Sequence, residues 1–233
     1  MPASPSGSTS HVTGSQTETR YRDGARRIVP IAIAGGVFGA SFAVLAHASG
    51  FGGVAAVVMS ATTFAGSAQF AAASILGTGG SVAAAIAAAA LLNARYAPIS
   101  VTVADQFEGN PLRRLVEAQL IVDESWALSR RPDGRYDRHV LIGAGIVMYC
   151  TWVGGTALGA LIGEALGDPK RYGLDAAFPA LFLALLVPQV RTRAALAAAL
   201  GGGLIALVLI PFVPAGVPIV AATAACAVGW TRL

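Results

Sequence analysis

Residues 28–48 read IVPIAIAGGVFGASFAVLAHA and contain no Asp, Glu, Lys or Arg. The run without charge continues to Ala104 with one exception, Arg95, and residues 194–231 are also free of charge. A soluble fold could not solvate such runs, whereas about 20 consecutive apolar residues match the hydrocarbon core of a bilayer. Period-2 alternation is absent, so the sequence predicts an all-α, polytopic integral membrane helix bundle.

The composition excludes several other classes of protein. Charged residues make up 12% of the 233 residues, which is about half the usual fraction in soluble domains. The net charge of +4 comes from arginines at the ends of apolar runs, a pattern of membrane topology and not of nucleic-acid binding. Cys150 and Cys226 lie inside apolar segments, where we expect helix packing and no metal site. No cofactor is expected.

The apolar runs predict about six to seven membrane segments, at least one of them broken or re-entrant. Segment 174–190 is short for a full crossing and contains Pro179 and Pro188. The candidate spans are residues 28–48, 52–76, 80–104, 139–163, 174–190, 194–211 and 214–231.

The remaining segments suggest a domain organisation and a topology. Residues 1–27 are predicted to be a disordered cytoplasmic tail, followed by a single transmembrane transporter domain, 28–233. Within that domain the arginine-rich segment 105–138 is expected to be cytoplasmic. Three full crossings from a cytoplasmic N-terminus would instead place this segment outside. One early segment is therefore expected to be irregular.

The third span offers a place for that irregularity. It contains Asn93 and Arg95 shortly before Pro98, which has no N–H and disfavours the helical bond to the carbonyl of Ala94. An arginine at the centre of a membrane helix costs about 2.5–3.5 kcal/mol on insertion scales. Broken helices near the midplane are common at the substrate sites of transporters. We therefore expect Asn93 and Arg95 to line a substrate path; the alternative is that Arg95 serves assembly.

The second span is unusually polar for a membrane helix. If it is one continuous helix, Ser60, Thr63 and Ser67 fall on one side, with Gly66 and Gln69 on the other. A helix that is polar on two sides should be central in the bundle. These five residues are added to the predicted substrate path, although small polar residues also serve plain helix packing. The buried amide of Gln69 would need several partners.

The fourth span and the charged segment contain two further patterns. Gly155, Gly159 and Gly163 at four-residue spacing predict a groove, either for packing within the chain or for a partner subunit. Asp123 and Glu124 interrupt a helical pattern, and they are candidates for ion coupling if that stretch approaches the bundle. The alternative is solvated surface.

No motif of a hydrolase, a redox enzyme or an ATPase is present, so no enzymatic activity is expected. Any transport driven by ATP would need another protein. A secondary transporter is the main hypothesis. The alternatives are a permease or channel for another small solute, and a membrane scaffold subunit that transports nothing.

Several short motifs resemble the AzlC family, in order and over roughly residues 24–190. They are Phe38-Gly39, Met59-Ser60, Phe64-Ala-Gly-Ser-Ala-Gln69-Phe70, Asn93-x-Arg95-Tyr96, Asp123-Glu124-Ser125 and the run from Pro179 to Gln189. The resemblance implies the large subunit of an exporter of valine, leucine and isoleucine in a prokaryotic inner membrane. It also implies a small AzlD-type membrane subunit as partner. The N-terminal tail and Trp126 depart from the family pattern.

Overall fold

The computed structural model describes residues 9–166, 183, 186, 187, 190–213 and 217–226. The described part of the chain is built of helices, which confirms the all-α prediction. In chain order these are α1 (Thr9–Ala48), α2 (Gly53–Thr63), α3 (Gly66–Gly77), α4 (Val82–Asn93), α5 (Tyr96–Val103), a 3-10 turn (Ala104–Gln106), α6 (Pro111–Ala118), α7 (Asp123–Ser129), α8 (Arg138–Leu166), α9 (Arg193–Leu209), α10 (Val217–Ala222) and a 3-10 turn (Thr223–Cys226).

Among the described residues, three stretches are long and apolar enough to cross a membrane: Arg20–Ala48, Val82–Gln106 and Arg138–Gly163. They correspond to the first, third and fourth predicted spans. Helix α9 is apolar but shorter, and it has no buried residue, as expected of a helix that faces lipid. The predicted span 174–190 lies almost wholly outside the described residues, and 214–231 is described only in part.

Helix α1 begins well before the predicted boundary at Ile28. Residues 9–27, expected to be disordered, continue the helix. Contacts with residues at and just before the start of α8 explain why this stretch is helical. Gly24 lies so close to the carbonyl of Val140 in α8 that an added Cβ would overlap it. One Arg20 nitrogen lies 3.5 Å from the Asp137 carboxylate. Packing and charge therefore stabilise this stretch, which composition alone did not indicate.

The chain divides into two compact units. The first comprises Met1–Val37 and Tyr96–Gly154, and the second comprises Phe38–Arg95 and Gly155–Leu233. The first unit has a core that joins α5 and the loop after it to α8, with Val103 and Leu141 among its buried residues. In the second unit the rings of Phe42 and Phe70 meet edge to face, with centroids 5.7 Å apart.

The predicted second span is not one helix. Helix α2 ends at Thr63, and Phe64 adopts left-handed backbone angles (φ 41°, ψ 47°) before α3 begins at Gly66. A non-glycine residue in this region costs about 1–3 kcal/mol and persists only where the surroundings enforce it. The prediction of a continuous helix over 52–76 was therefore wrong, and so was the placing of its polar residues on two helix sides.

The third span is interrupted where Pro98 indicated, but only briefly. Helix α4 ends at Asn93 and α5 starts at Tyr96. Between them Ala94 keeps helical angles, and its N–H donates to the carbonyls of Ala90 and Leu91. Pro98 lies in the first turn of α5, where its missing N–H is tolerated. The larger irregularity thus lies in the second span.

The glycine groove of α8 is filled by the same chain. Gly155, Gly159 and Gly163 are all buried. A Cβ added at Gly159 would overlap the carbonyl oxygen of Ala40 in α1, and one at Gly163 would lie 3.7 Å from the Cβ of His47. At Gly159 and Gly163 these contacts support packing within the chain, and the partner groove stays a prediction.

Candidate functional site

Three buried polar side chains meet beside the break between α2 and α3. The Ser60 hydroxyl accepts a hydrogen bond of 2.8 Å from the Gln69 amide nitrogen and lies 2.9 Å from the Thr156 hydroxyl. All three residues are 0% exposed. Ser60 of α2 therefore supplies one of the buried partners that Gln69 was expected to need. Ser60 forms hydrogen bonds with both Gln69 and Thr156, and this buried group anchors the break between α2 and α3.

The residues at the break itself are more open. Thr63, the last residue of α2, is exposed, and Gly66, the first of α3, is half-buried. Ala65, the residue before α3, forms no side-chain capping hydrogen bond. Its side chain therefore does not satisfy the free N–H groups of the first turn. Ser67 lies in this turn, and its hydroxyl oxygen is buried without a hydrogen-bond partner among the described residues.

A second unsatisfied polar atom lies at the interruption between α4 and α5. Asn93 is half-buried, and within the described part of the chain its side-chain oxygen has no hydrogen-bond partner although it is buried. Arg95, two residues later, is exposed. Buried polar atoms are paired in the great majority of cases, so two exceptions call for an explanation.

Helices α3 and α4 bring these two atoms to the same end of a hairpin. The helices are joined by residues 78–81 and pack against each other. Buried Ala72 and Ile75 of α3 belong to one core cluster with Ala85 and Ala88 of α4. Because the two helices are antiparallel neighbours with a short connection, the start of α3 and the end of α4 lie side by side. Ser67, Asn93 and Arg95 therefore belong to one end of the hairpin.

A comparison with known protein families identifies the chain. Residues 30–166 match the family described as AzlC protein. The chain belongs to the AzlC family. The predicted resemblance is confirmed, and the match includes Ser60, Ser67, Asn93 and Arg95 while leaving α9 outside.

Relatives of this AzlC family protein are membrane proteins. An uncharacterised membrane protein of Archaeoglobus fulgidus is 35% identical over 190 residues, 80% of this chain and 83% of the relative. The branched-chain amino acid transport protein AzlC of Bacillus subtilis is 26% identical over 179 residues, 75% and 70% of the two chains. An uncharacterised membrane protein of Helicobacter pylori is 23% identical over 174 residues, 73% and 76%. No solved structure matches.

Asp123 and Glu124 of this family member open helix α7 and are half-buried. Acidic residues in a first turn are stabilised by the helix dipole. The start of α7 is fixed by buried Ser125, whose hydroxyl accepts from the Val122 N–H at 3.0 Å and donates to the Leu120 carbonyl at 2.9 Å. The two acids belong to the first compact unit and Arg95 to the second.

The charged segment of the AzlC family chain contains an ion cluster that the sequence reasoning missed. The Glu117 carboxylate bonds Arg113 at 2.9 Å and is also paired with Arg138 at the start of α8. The hydrogen bond and charge of Glu117 raise the pKa of the Arg113 guanidinium. The spacing of Arg113 and Glu117, four residues apart on a helix, was the available signal; nothing in the sequence indicated Arg138.

A cavity of about 360 Å³ lies beside this cluster. Charges of both signs line it, and among them Asp137 pairs with Arg20 and lies 3.7 Å from the His139 ring. Its lining residues are Arg20, Asp105, Gln106, Glu108, Arg113, Arg131, Tyr136, Asp137, Arg138 and His139. Because the positive and negative charges nearly balance, the cavity favours neither anions nor cations.

Proposed function

We propose that this AzlC family protein is the large subunit of a secondary transporter that exports valine, leucine and isoleucine. It would act in a prokaryotic inner membrane together with a small AzlD-type subunit. The substrate class is supported by the name of the Bacillus subtilis relative. A transport role is supported most by one observation: the break at Phe64–Ala65, with polar side chains around it, inside an otherwise apolar helical chain.

The lengths of the helices support a specific topology. Helices α2 and α3 have 11 and 12 residues, so each is about 16–18 Å long and reaches about half of a 30 Å hydrocarbon core. If α2 enters from the outside and α3 returns there, the stretch Val82–Gln106 then crosses to the cytoplasm. The segment 105–138 would be cytoplasmic, as would the N-terminus. This topology removes the conflict between the arginines of segment 105–138, which favour the cytoplasm, and three full crossings, which would place the segment outside.

In this topology the break lies near the midplane, where half-helix ends meet substrates in many transporters. Arg95, at the same depth in the membrane, would attract the substrate carboxylate. Ser60 and Gln69 would hold the break in place, while Thr63 and Gly66 would border the path. Asp123 and Glu124 are proposed to couple transport to an ion gradient, since half-buried carboxylates can exchange protons or bind cations.

The test is the efflux of radiolabelled valine from preloaded cells. Four strains are compared: no addition, this chain alone, the small subunit alone, and both together. We expect efflux above background with both subunits, and inhibition by unlabelled leucine but not by a sugar. No efflux from the complete pair would indicate a scaffold, and equal inhibition by unrelated solutes would indicate a permease of another class.

A further inference from the structure

Two polar oxygens at one end of the α3–α4 hairpin are the least explained atoms of the described structure. Among the described residues, the Ser67 hydroxyl oxygen and the Asn93 side-chain oxygen are the buried side-chain nitrogen or oxygen atoms without a hydrogen-bond partner. Each unpaired oxygen lowers the stability of the protein when no ligand is bound there. Unsatisfied polar atoms of this kind commonly mark a site where a ligand completes the bonds.

The geometry of the hairpin places the two atoms at the same depth. Ser67 lies ten residues before Gly77, the end of α3, and Asn93 lies eleven residues after Val82, the start of α4. At a rise of 1.5 Å per residue, both are about 15–17 Å from the turn that joins the helices. That distance is about half the thickness of the hydrocarbon core.

The two sides of this end differ in chemistry. The first turn of α3 presents amide N–H groups without helical acceptors, and the positive end of the helix dipole favours a carboxylate. On the α4 side are acceptors: the Asn93 oxygen and the carbonyl of Ala94, which receives no donor from the proline at position 98. Donors on one helix and acceptors on its neighbour fit a group that carries both charges.

We infer that the Ser67–Asn93 end of the hairpin binds the zwitterionic head group of an α-amino acid. The carboxylate lies at the first turn of α3, where it accepts from the Ser67 hydroxyl and is attracted by Arg95, as proposed above. The ammonium group donates to the Asn93 side-chain oxygen and the Ala94 carbonyl. This inference rests on the proposed function and adds to it which end of the substrate each helix recognises.

The test measures binding to the purified full-length chain with its small subunit, by calorimetry, using three probes. These are valine, valinamide, which lacks the carboxylate, and 2-hydroxy-3-methylbutanoate, which lacks the ammonium group. Ser67→Ala should weaken valine at least about tenfold, the loss of one bond to a charged group, while valinamide changes little. Asn93→Leu should weaken valine similarly, while the hydroxy acid changes little.

Thr78→Ala is the matched control. Thr78 caps the opposite end of α3, where its hydroxyl donates to the carbonyls of Ser74 and Ile75, so all three probes should bind as to the wild type. If both site variants keep wild-type affinity for valine while the wild type binds it, the assignment is wrong. If the wild type binds no branched-chain amino acid, the transport proposal itself fails.

A second measurement does not depend on binding. Because each site variant removes a buried atom without a partner, the melting temperature of the ligand-free protein should stay unchanged or rise for Ser67→Ala and Asn93→Leu. A clear fall in both would mean that these oxygens already have hydrogen-bond partners in the ligand-free protein. That result would overturn the inference even if transport of valine were established.

Discussion

The buried hydroxyl groups of Ser60 and Thr156 lie 2.9 Å apart, although 96 positions separate them in the chain. Ser60 also accepts from Gln69, which belongs to the helix on the other side of the break. One serine therefore connects α2, α3 and α8 within a single compact unit. The break at Phe64 is held by side chains that no water can reach.

The first prediction concerns this hydrogen-bonded group. Ser60→Ala leaves a buried amide and a buried hydroxyl without their common partner, which should cost about 1–3 kcal/mol of unfolding free energy. Thermal unfolding of the purified protein in detergent measures it. Thr62→Ala is the control, since Thr62 is exposed and bonds its own helix at Val58, and a change within about 0.5 kcal/mol is expected. Equal melting temperatures for the two variants would contradict the proposed anchor.

The second prediction compares two glycines of α8. Gly159→Ala should reduce folded protein strongly, because the new methyl group would overlap the carbonyl of Ala40 and a tight core loses about 1–3 kcal/mol on overpacking. Gly154→Ala places the same group where nothing lies within 4 Å, so no loss is expected. Fluorescence size-exclusion chromatography of tagged variants measures the yield. If Gly159→Ala lowers only the recovery of the small subunit, a partner groove regains support.

The third prediction concerns the ion cluster. The side chains of Glu117 and Arg138 are 12% and 15% exposed, so removing one partner leaves a largely buried charge. Glu117→Leu should therefore destabilise the protein by about 3 kcal/mol or more. Glu108→Leu, at an exposed position, should change stability little. Unfolding curves of both variants are compared with the wild type, and similar losses in the two would disprove a special role of Glu117.

The fourth prediction tests the topology. In a variant lacking Cys150 and Cys226, a cysteine at Arg131, an exposed position, should react with an impermeant maleimide only from the cytoplasmic side. Gly52, just after the C-terminal end of α1, has open space around it. A cysteine at this position should react only from outside. Reaction of the Arg131 site from outside would restore three full crossings and rule out the re-entrant α2–α3 pair.

The fifth prediction tests Arg95 by valine efflux normalised to the amount of inserted protein. Arg95→Lys keeps the charge but loses the planar fork that matches a carboxylate, so export should fall severalfold, and Arg95→Ala should fall further. The immunoblot of the membrane fraction controls for insertion. Wild-type export by a normally inserted Arg95→Ala protein would reduce this residue to a role in assembly.

The sequence predicted those features that depend on local composition. Long uncharged runs predicted the third and fourth spans within two residues and the end of the first span, though not its start. The four-residue spacing of Gly159 and Gly163 coincides with a packing surface against α1. Pro98 marked the end of α4 because a missing N–H has a local effect. Gln69 was expected to need buried partners, and it has one in Ser60.

The features that were missed depend on tertiary contacts. Phe64 carries no signal for left-handed backbone angles, which usually favour glycine or asparagine, so the break in the second span could not be placed. Thr156 gave no hint of a partner 96 positions away. The helix through residues 9–27 was missed because its polar composition resembles a disordered tail, whereas contacts such as Gly24 with Val140 stabilise it.

The break at Phe64–Ala65 also has a consequence for biogenesis. An emerging chain is sorted into lipid by the hydrophobic length of each segment, and neither an 11-residue nor a 12-residue helix is long enough to leave the insertion machinery alone. If the pair is re-entrant, as proposed, we expect it to stay at the insertion machinery until the stretch from Val82 onward has been synthesised and can shield its polar ends. We therefore expect the hairpin of α3 and α4 to enter the lipid as one unit, late relative to α1.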